Sequence, residues 1–334
     1  DAGKYRLTPG TDGALFGWSL ALDGDTLHVG APDESTAAER SGAVYVYQRS
    51  DAGTPGDLFD DDFLLLDELR PTAPRPIDRF GWSLDAEGGT LLVGAPRELH
   101  EWGFPTRAVV FERDSQGTPD ALDDRWLETG QFDHPVGDGS DEFGMGVALL
   151  ADTAFVGATR DDTSAGDGGR VFAFARDDKG TPGDRLDDTW SATSAFGGLD
   201  IGQNDRFGFA LDTDEPHLVV GAYIHDGHAP DYGFGKGSAY VFVRDDPGTP
   251  GVPADDTWTQ TAELHKSDLN SFALLGSSVT LCGERIAVGA PESDTLGDGA
   301  GEVFLWRRSP LGGWLFEGAV PATGLDADDQ FGMA

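Results

Sequence analysis

A Phe-Gly step returns along the chain at nearly constant spacing. Its copies are Phe16-Gly17, Phe80-Gly81, Phe143-Gly144, Phe207-Gly208 and Leu275-Gly276, with a further start at Phe331-Gly332, giving intervals of 64, 63, 64, 68 and 56 residues. Behind each of the first five comes a short apolar run, a tight turn, a second run ending in Val-Gly-Ala-Pro or a near copy, and a third run resembling Ala-Val-Tyr-Val-Tyr. So regular a period means one supersecondary unit repeated, each copy burying its apolar face against its neighbours. The 334 residues are therefore expected to form one continuous array, a single domain with repeats at about 16–79, 80–142, 143–206, 207–274 and 275–330.

Within the first repeat, Trp18 to Leu22 reads as a strand, Asp23-Gly24-Asp25 as a hairpin turn, and Thr26 to Gly30 as the antiparallel partner. Pro32 ends that partner because it lacks the amide hydrogen a ladder needs. Ala43 to Gln48 is a third strand, with Tyr45 and Tyr47 on one face and Val44 and Val46 on the other, and Phe63 to Leu69 is a fourth. The later third strands are Ala108 to Glu112, Arg170 to Ala175, Ser238 to Val243 and Glu302 to Trp306; the later fourth strands start near Trp126, Trp190, Trp258 and Trp314. With no helical periodicity, the pattern points to an all-β chain, a β-propeller of four-stranded antiparallel blades, with an extended β-solenoid as the alternative. Tyr5-Arg6-Leu7 matches the fourth strand of a preceding blade and Phe331 to Ala334 opens a following one, so the expectation is five complete repeats with partial blades at both ends. The whole would be a segment of a longer polypeptide with about six or seven blades.

The Phe-Gly steps, Val-Gly-Ala-Pro at 29–32, 93–96 and 288–291, and Gly-x-Val-Tyr-Val-Tyr at 42–47 resemble the FG-GAP repeats of the integrin α-subunit propeller and its bacterial relatives. The likeness covers nearly the whole chain and holds in phase five times, with variants at Val156-Gly157-Ala158-Thr159, Val220-Gly221-Ala222-Tyr223 and Leu275. Integrin-like repeats often carry an Asp-x-Asp-x-Asp-Gly calcium loop in the first hairpin. Here the corresponding turns, such as Asp23-Gly24-Asp25 and Gly283-Glu284, are too short to wrap a cation, so the chain is similar to the short-hairpin bacterial branch.

Composition narrows the partners. A formal charge of −37 excludes the basic footprint that nucleic acid or an anionic membrane surface requires, and favours cations or abundant salt. No run approaches the roughly 18 apolar residues of a membrane span. Cys282, the single cysteine, sits in an alternating run and reads as a small buried apolar residue.

Two sets of residues are candidates for chemistry. In the first four repeats the loop between the third and fourth strands recurs as Arg-Ser-Asp, Arg-Asp-Ser or Arg-Asp-Asp, then Gly-Thr-Pro, then paired Asp residues. Asp51, Asp57, Asp60, Asp177, Asp178, Asp184, Asp187 and Asp188, with Gly-exposed carbonyls, are candidate calcium ligands. The same residues also suit turns in which the recurrent Arg pairs with a carboxylate. The loops between the second and third strands form a ligand-facing end in integrin-like propellers. Here they hold Trp102, Phe104, Tyr223, His225, Asp226, His228, Tyr232 and Phe234 as candidate ligand contacts, the histidine pair with Asp226 also offering transition-metal ligands. No Gly-x-Ser-x-Gly elbow, His-Glu-x-x-His, phosphate-cradling loop or paired Cys set is present. The resemblance implies a noncatalytic extracellular or cell-surface module binding a protein or glycan, with calcium as the candidate cofactor. The alternatives are a propeller enzyme acting on polysaccharide and a structural repeat of a surface assembly.

Overall fold

A computed structural model describes residues 12–50, 61–97, 105–135, 140–181, 183–226, 235–246 and 253–334. Five four-stranded antiparallel meanders follow one another, the blades of a β-propeller. The first is β1 (Leu20–Asp23), β2 (Thr26–Ala31), β3 (Ala43–Ser50) and β4 (Asp62–Leu69); the second is β5 (Ser83–Glu87), β6 (Thr90–Ala95), β7 (Arg107–Asp114) and β8 (Arg125–Asp133). The third is β9 (Phe143–Leu150), β10 (Thr153–Ala158), β11 (Arg170–Asp177) and β12 (Thr189–Phe196). The fourth is β13 (Phe207–Asp214), β14 (His217–Ala222), β15 (Ser238–Asp245) and β16 (Thr257–Leu264), and the fifth is β17 (Ser278–Cys282), β18 (Arg285–Ala290), β19 (Glu302–Arg308) and β20 (Trp314–Ala319). Among the described residues the only helices are 3₁₀ turns at Arg185–Asp187 and Pro253–Asp255.

The chain divides into two compact units. One comprises Asp1–His134 with Asp177–Trp190, and the other Pro135–Arg176 with Ser191–Ala334. In the first unit, alternation along β3 sends Val44 and Val46 into a core with Phe80, Leu91, Val93, Val109 and Phe111, while Tyr45 and Tyr47 join Val29 and Phe16 on the opposite face. In the second unit, Leu218, Val220, Tyr240 and Phe242 pack with Phe155, Val171 and Phe207, whereas Val219 and Val241 pack with Leu275, Ile286, Val288 and Phe304. The middle strands are thus buried on both faces, at about 1.5–3 kcal/mol for each large apolar side chain.

The Phe-Gly step is the joint between blades. Phe80, Phe143, Phe207 and Leu275 are fully buried. Gly81, Gly208 and Gly276 lie in the left-handed region, at φ 90°, 94° and 95°, and face Gly30, Gly157 and Gly221 of the preceding Gly-Ala-Pro or its variant. A Cβ on Gly30 would collide with the Gly81 carbonyl, and one on Gly157, Gly221 or Gly289 with the carbonyl of Gly208, Gly276 or Gly332. Backbone therefore meets backbone, which only glycine permits.

The third and fourth strands of the first, second, fourth and fifth blades share a bulge, falling between Val46 and Tyr47, Val110 and Phe111, Val241 and Phe242, and Leu305 and Trp306. Such a bulge re-aims the residues beyond it. In the fourth blade those residues include Glu263, which pairs opposite Tyr240. Cys282 is exposed rather than buried. It closes β17 one position after the buried Leu281, and strand alternation turns it outward at the hairpin tip.

Candidate functional site

In the first, third, fourth and fifth blades the loop between the second and third strands is built on one backbone frame. The residue four places after the Gly of Gly-Ala-Pro or its variant bonds back to the strand end: Glu34 N–H to Ala31 O, Asp161 N–H to Ala158 O, His225 N–H to Ala222 O and Ser293 N–H to Ala290 O, all at 3.1 to 3.2 Å. Its carbonyl then accepts the N–H of Gly42, Gly169, Gly237 or Gly301 in turn, at 2.9 to 3.1 Å. The end of the loop zips onto the segment entering the next blade, as in Phe80 N–H to Ser41 O, Phe207 N–H to Gly168 O and Leu275 N–H to Lys236 O. The side chain in this common seat is buried every time, yet its chemistry changes from Glu34 to Asp161, His225 and Ser293.

Glu34 caps its own loop, accepting from Ser35 N–H at 3.1 Å and Thr36 N–H at 2.9 Å. Ser293 donates to Glu302 Oε2 at 2.5 Å. In the fourth blade the seat gathers charge. His225 Nδ1 lies 2.8 Å from Asp205 Oδ2, an oxygen that also accepts the Gly202 N–H at 2.6 Å. On the other side of the ring, Nε2 lies 3.8 Å from Glu263 Oε1 and 4.0 Å from Asp200 Oδ2. Ser238 Oγ donates to Glu263 Oε1 at 2.8 Å, and the Tyr240 ring stands edge-on to the imidazole with centroids 6.0 Å apart. Burial opposes protonation of His225, but the Asp205 hydrogen bond and the charges of Asp205, Glu263 and Asp200 together outweigh it and raise its pKa.

The other sequence candidates in this loop take different places. Tyr223 packs on Phe209 with ring centroids 4.3 Å apart, and burial pushes its hydroxyl pKa up. Asp226 accepts the Gly235 N–H at 3.1 Å, tying the two stems of the loop together. Trp102, Phe104, His228, Tyr232 and Phe234 lie outside the described residues. Sequence reasoning missed Phe272, which is 58% exposed on the segment entering the fifth blade and adopts φ 65°. A bulky residue there is strained by roughly 1–2 kcal/mol. The bonds Leu274 N–H to Gly235 O and Leu275 N–H to Lys236 O hold the adjoining backbone.

Asp200, Asp205, Tyr240 and Glu263 were missed as well. A signal for Asp205 was present, because an Asp stands two residues before Phe at 78, 141, 205 and 329. Asp78 is likewise buried and takes the Arg107 Nε at 3.0 Å.

Where they are described, the acidic loops between third and fourth strands show turn chemistry. The recurrent Arg meets a buried Asp in three blades: Arg49 Nη1 with Asp61 Oδ2 at 2.7 Å, Arg113 Nε with Asp124 Oδ2 at 3.6 Å and Arg244 Nε with Asp256 Oδ2 at 2.6 Å. In the third blade's loop, Asp177 pairs with Lys179, which holds its carboxyl below the usual range. Asp178 accepts the Gly180 N–H, Asp184 the Leu186 N–H, and Asp187 the Thr181 hydroxyl, while Asp188 is buried. Asp51, Asp57 and Asp60 lie outside the described residues.

The profile of the FG-GAP repeat matches residues 7–47, 126–174, 190–242 and 258–306, more than half of the chain. The second to fourth matches run from the fourth strand of one blade through the third strand of the next, so the repeat in sequence is offset by one strand from the blade in space. No curated protein matches the sequence. Among solved structures, a protein from Lactobacillus plantarum superposes with a TM-score of 0.52 at 12% identity, over 91% of this chain and 70% of that one. The β-propeller domain of Cps50 (Swd1) from Myceliophteria thermophila superposes with a TM-score of 0.49 at 12% identity, over 89% and 70% of the two chains. At such identity the likeness to the first concerns the fold alone.

Proposed function

The chain belongs to the FG-GAP repeat family, and on that premise we propose that it is a noncatalytic binding module, displayed outside the cell, that takes a protein or a glycan on the loop ends of its blades. The observation that supports this reading is the contrast between a loop frame repeated bond for bond and the side chains it carries. A rigid scaffold with divergent loops is the arrangement binding proteins use, because the scaffold fixes the geometry while the loops supply the chemistry. Phe272 supplies an anchor: it is an exposed aromatic fixed on the loop end by the left-handed blade-entry backbone that Ile77, Asn204 and Asp328 share, and aromatic residues are enriched at interfaces. A charge of −37 suits an exterior where salt or divalent ions screen it, and it leaves neutral or cationic surfaces as the partners. Among the described residues no helix is long and apolar enough to cross a membrane.

Glycan and protein arrays probed with the purified chain test the reading. Binding should be specific, and Phe272→Ser should weaken it about tenfold or more, as loss of an aromatic anchor does, while Leu311→Ser, at a 98% exposed position in the β19–β20 hairpin, should leave it unchanged. Release of reducing sugar or unsaturated product from a polysaccharide panel would overturn the noncatalytic reading.

A further inference from the structure

Three potential ligand atoms converge at the root of the fourth blade's loop. One oxygen each from Asp200 and Glu263 and one ring nitrogen of His225 all lie within 4.8 Å of one another. Two donors bonded to one ion at about 2.1 Å can stand at most about 4.2 Å apart. The separations of 3.8 Å and 4.0 Å from His225 Nε2 to Glu263 and Asp200 meet that limit with the ring in place. The opposite nitrogen is already held by Asp205, which orients Nε2 towards the two carboxylates, as a carboxylate behind a metal-bound imidazole does.

A separate observation points to a missing ligand. Tyr240 is fully buried, and its hydroxyl makes no hydrogen bond of normal geometry; burial raises its pKa, and Glu263, a side-chain interaction with Asp200 and the charge of Asp205 add to the rise. An enclosed hydroxyl of this kind carries a desolvation penalty that a bound group would remove. The route in is open, since the Asp200 side chain is 33% exposed. One imidazole with two carboxylates favours zinc and its transition-metal neighbours, whereas calcium and magnesium prefer oxygen alone.

We propose that Asp200, His225 and Glu263 bind one divalent transition-metal ion, with the Tyr240 hydroxyl contacting a water on the remaining coordination position. The site goes beyond the recognition reading and stands whether or not the loop takes a partner. Its competitor is a proton: a His225 imidazolium among the same carboxylates needs no metal.

Titration of the EDTA-stripped chain with Co²⁺ in excess calcium, which occupies weak surface carboxylates, separates the two. One equivalent should bind with visible ligand-field bands and be displaced by Zn²⁺. Asp200→Asn and Glu263→Gln, both at partly exposed side chains, should each weaken binding by at least about tenfold, and Asp205→Asn by roughly 10- to 100-fold, with circular dichroism unchanged. In the wild-type chain, saturating Zn²⁺ should abolish the His225 proton titration followed by NMR. Absence of ligand-field bands, affinity unchanged in Asp200→Asn, or a His225 titration that persists in saturating Zn²⁺ would each overturn the proposal in favour of the proton.

Discussion

At the scale of single residues, the glycines of the blade joint are the least replaceable positions. Gly221→Ala would drive a methyl into the Gly276 carbonyl, where neither backbone can yield without separating the fourth and fifth blades. It should cost about 3 kcal/mol in urea unfolding, at the upper end of overpacking. Gly180→Ala, with open space around it and φ 79°, should cost about 1 kcal/mol. Equal losses would mean that backbone strain rather than collision governs both. A second residue effect is tied to pH. His28 is buried in β2, edge-on to the Trp126 indole at 4.7 Å, and burial pushes its pKa down to about 4 despite the Ala21 backbone and Asp23. Unfolded, it takes up a proton near pH 6.5. Between these values only the unfolded chain is protonated, so stability is lost as pH falls through that window, about 3 kcal/mol in all. Urea midpoints at pH 7 and pH 4.5 should differ less in His28→Leu than in the wild type.

At the scale of elements, the Arg–Asp clamp at the root of the third-to-fourth strand loop is structural. Asp256 is buried against Arg244, so Arg244→Ala should strand a carboxylate and cost about 2 kcal/mol, whereas Arg285→Ala breaks an exposed, solvent-screened pair with Glu317 and should cost far less. Thermal or urea unfolding of the two variants checks the ranking. The strands, their pairing and the burial of Phe80, Phe143, Phe207 and Leu275 were legible in the sequence, because a period of two within a period near 64 leaves few other solutions. The fourth-blade cluster was only half legible. His225 stood out, but Asp200 and Asp205, Tyr240, and Glu263 come from three other segments. They meet only because the loop frame, the Asp before Phe207 and the β16 bulge each aim a side chain at one seat. Cys282 misled because alternation fixes a side chain's face only once the register of the hairpin is known, and that register turned it outward.

At the scale of the whole molecule, charge sets the response to solvent. A net −37 repels itself more strongly in the compact state than in the expanded chain. The melting temperature should therefore climb as sodium chloride rises from about 0.01 to 1 M and the screening length falls from about 30 to about 3 Å. A flat profile in differential scanning calorimetry would mean that the paired carboxylates already neutralise the field locally. The joint between blades has a different kind of reach. Where Gly30 meets Gly81, Gly157 meets Gly208, Gly221 meets Gly276 and Gly289 meets Gly332, the contact is made by main chain and is indifferent to what the rest of each blade displays. Recombination at a Phe-Gly step would carry a loop, its seat and its side chains into a new position without refitting the junction. Such a chain can acquire a new surface by splicing whole cassettes, and a cluster like that around His225 can arise in one blade while its neighbours keep theirs.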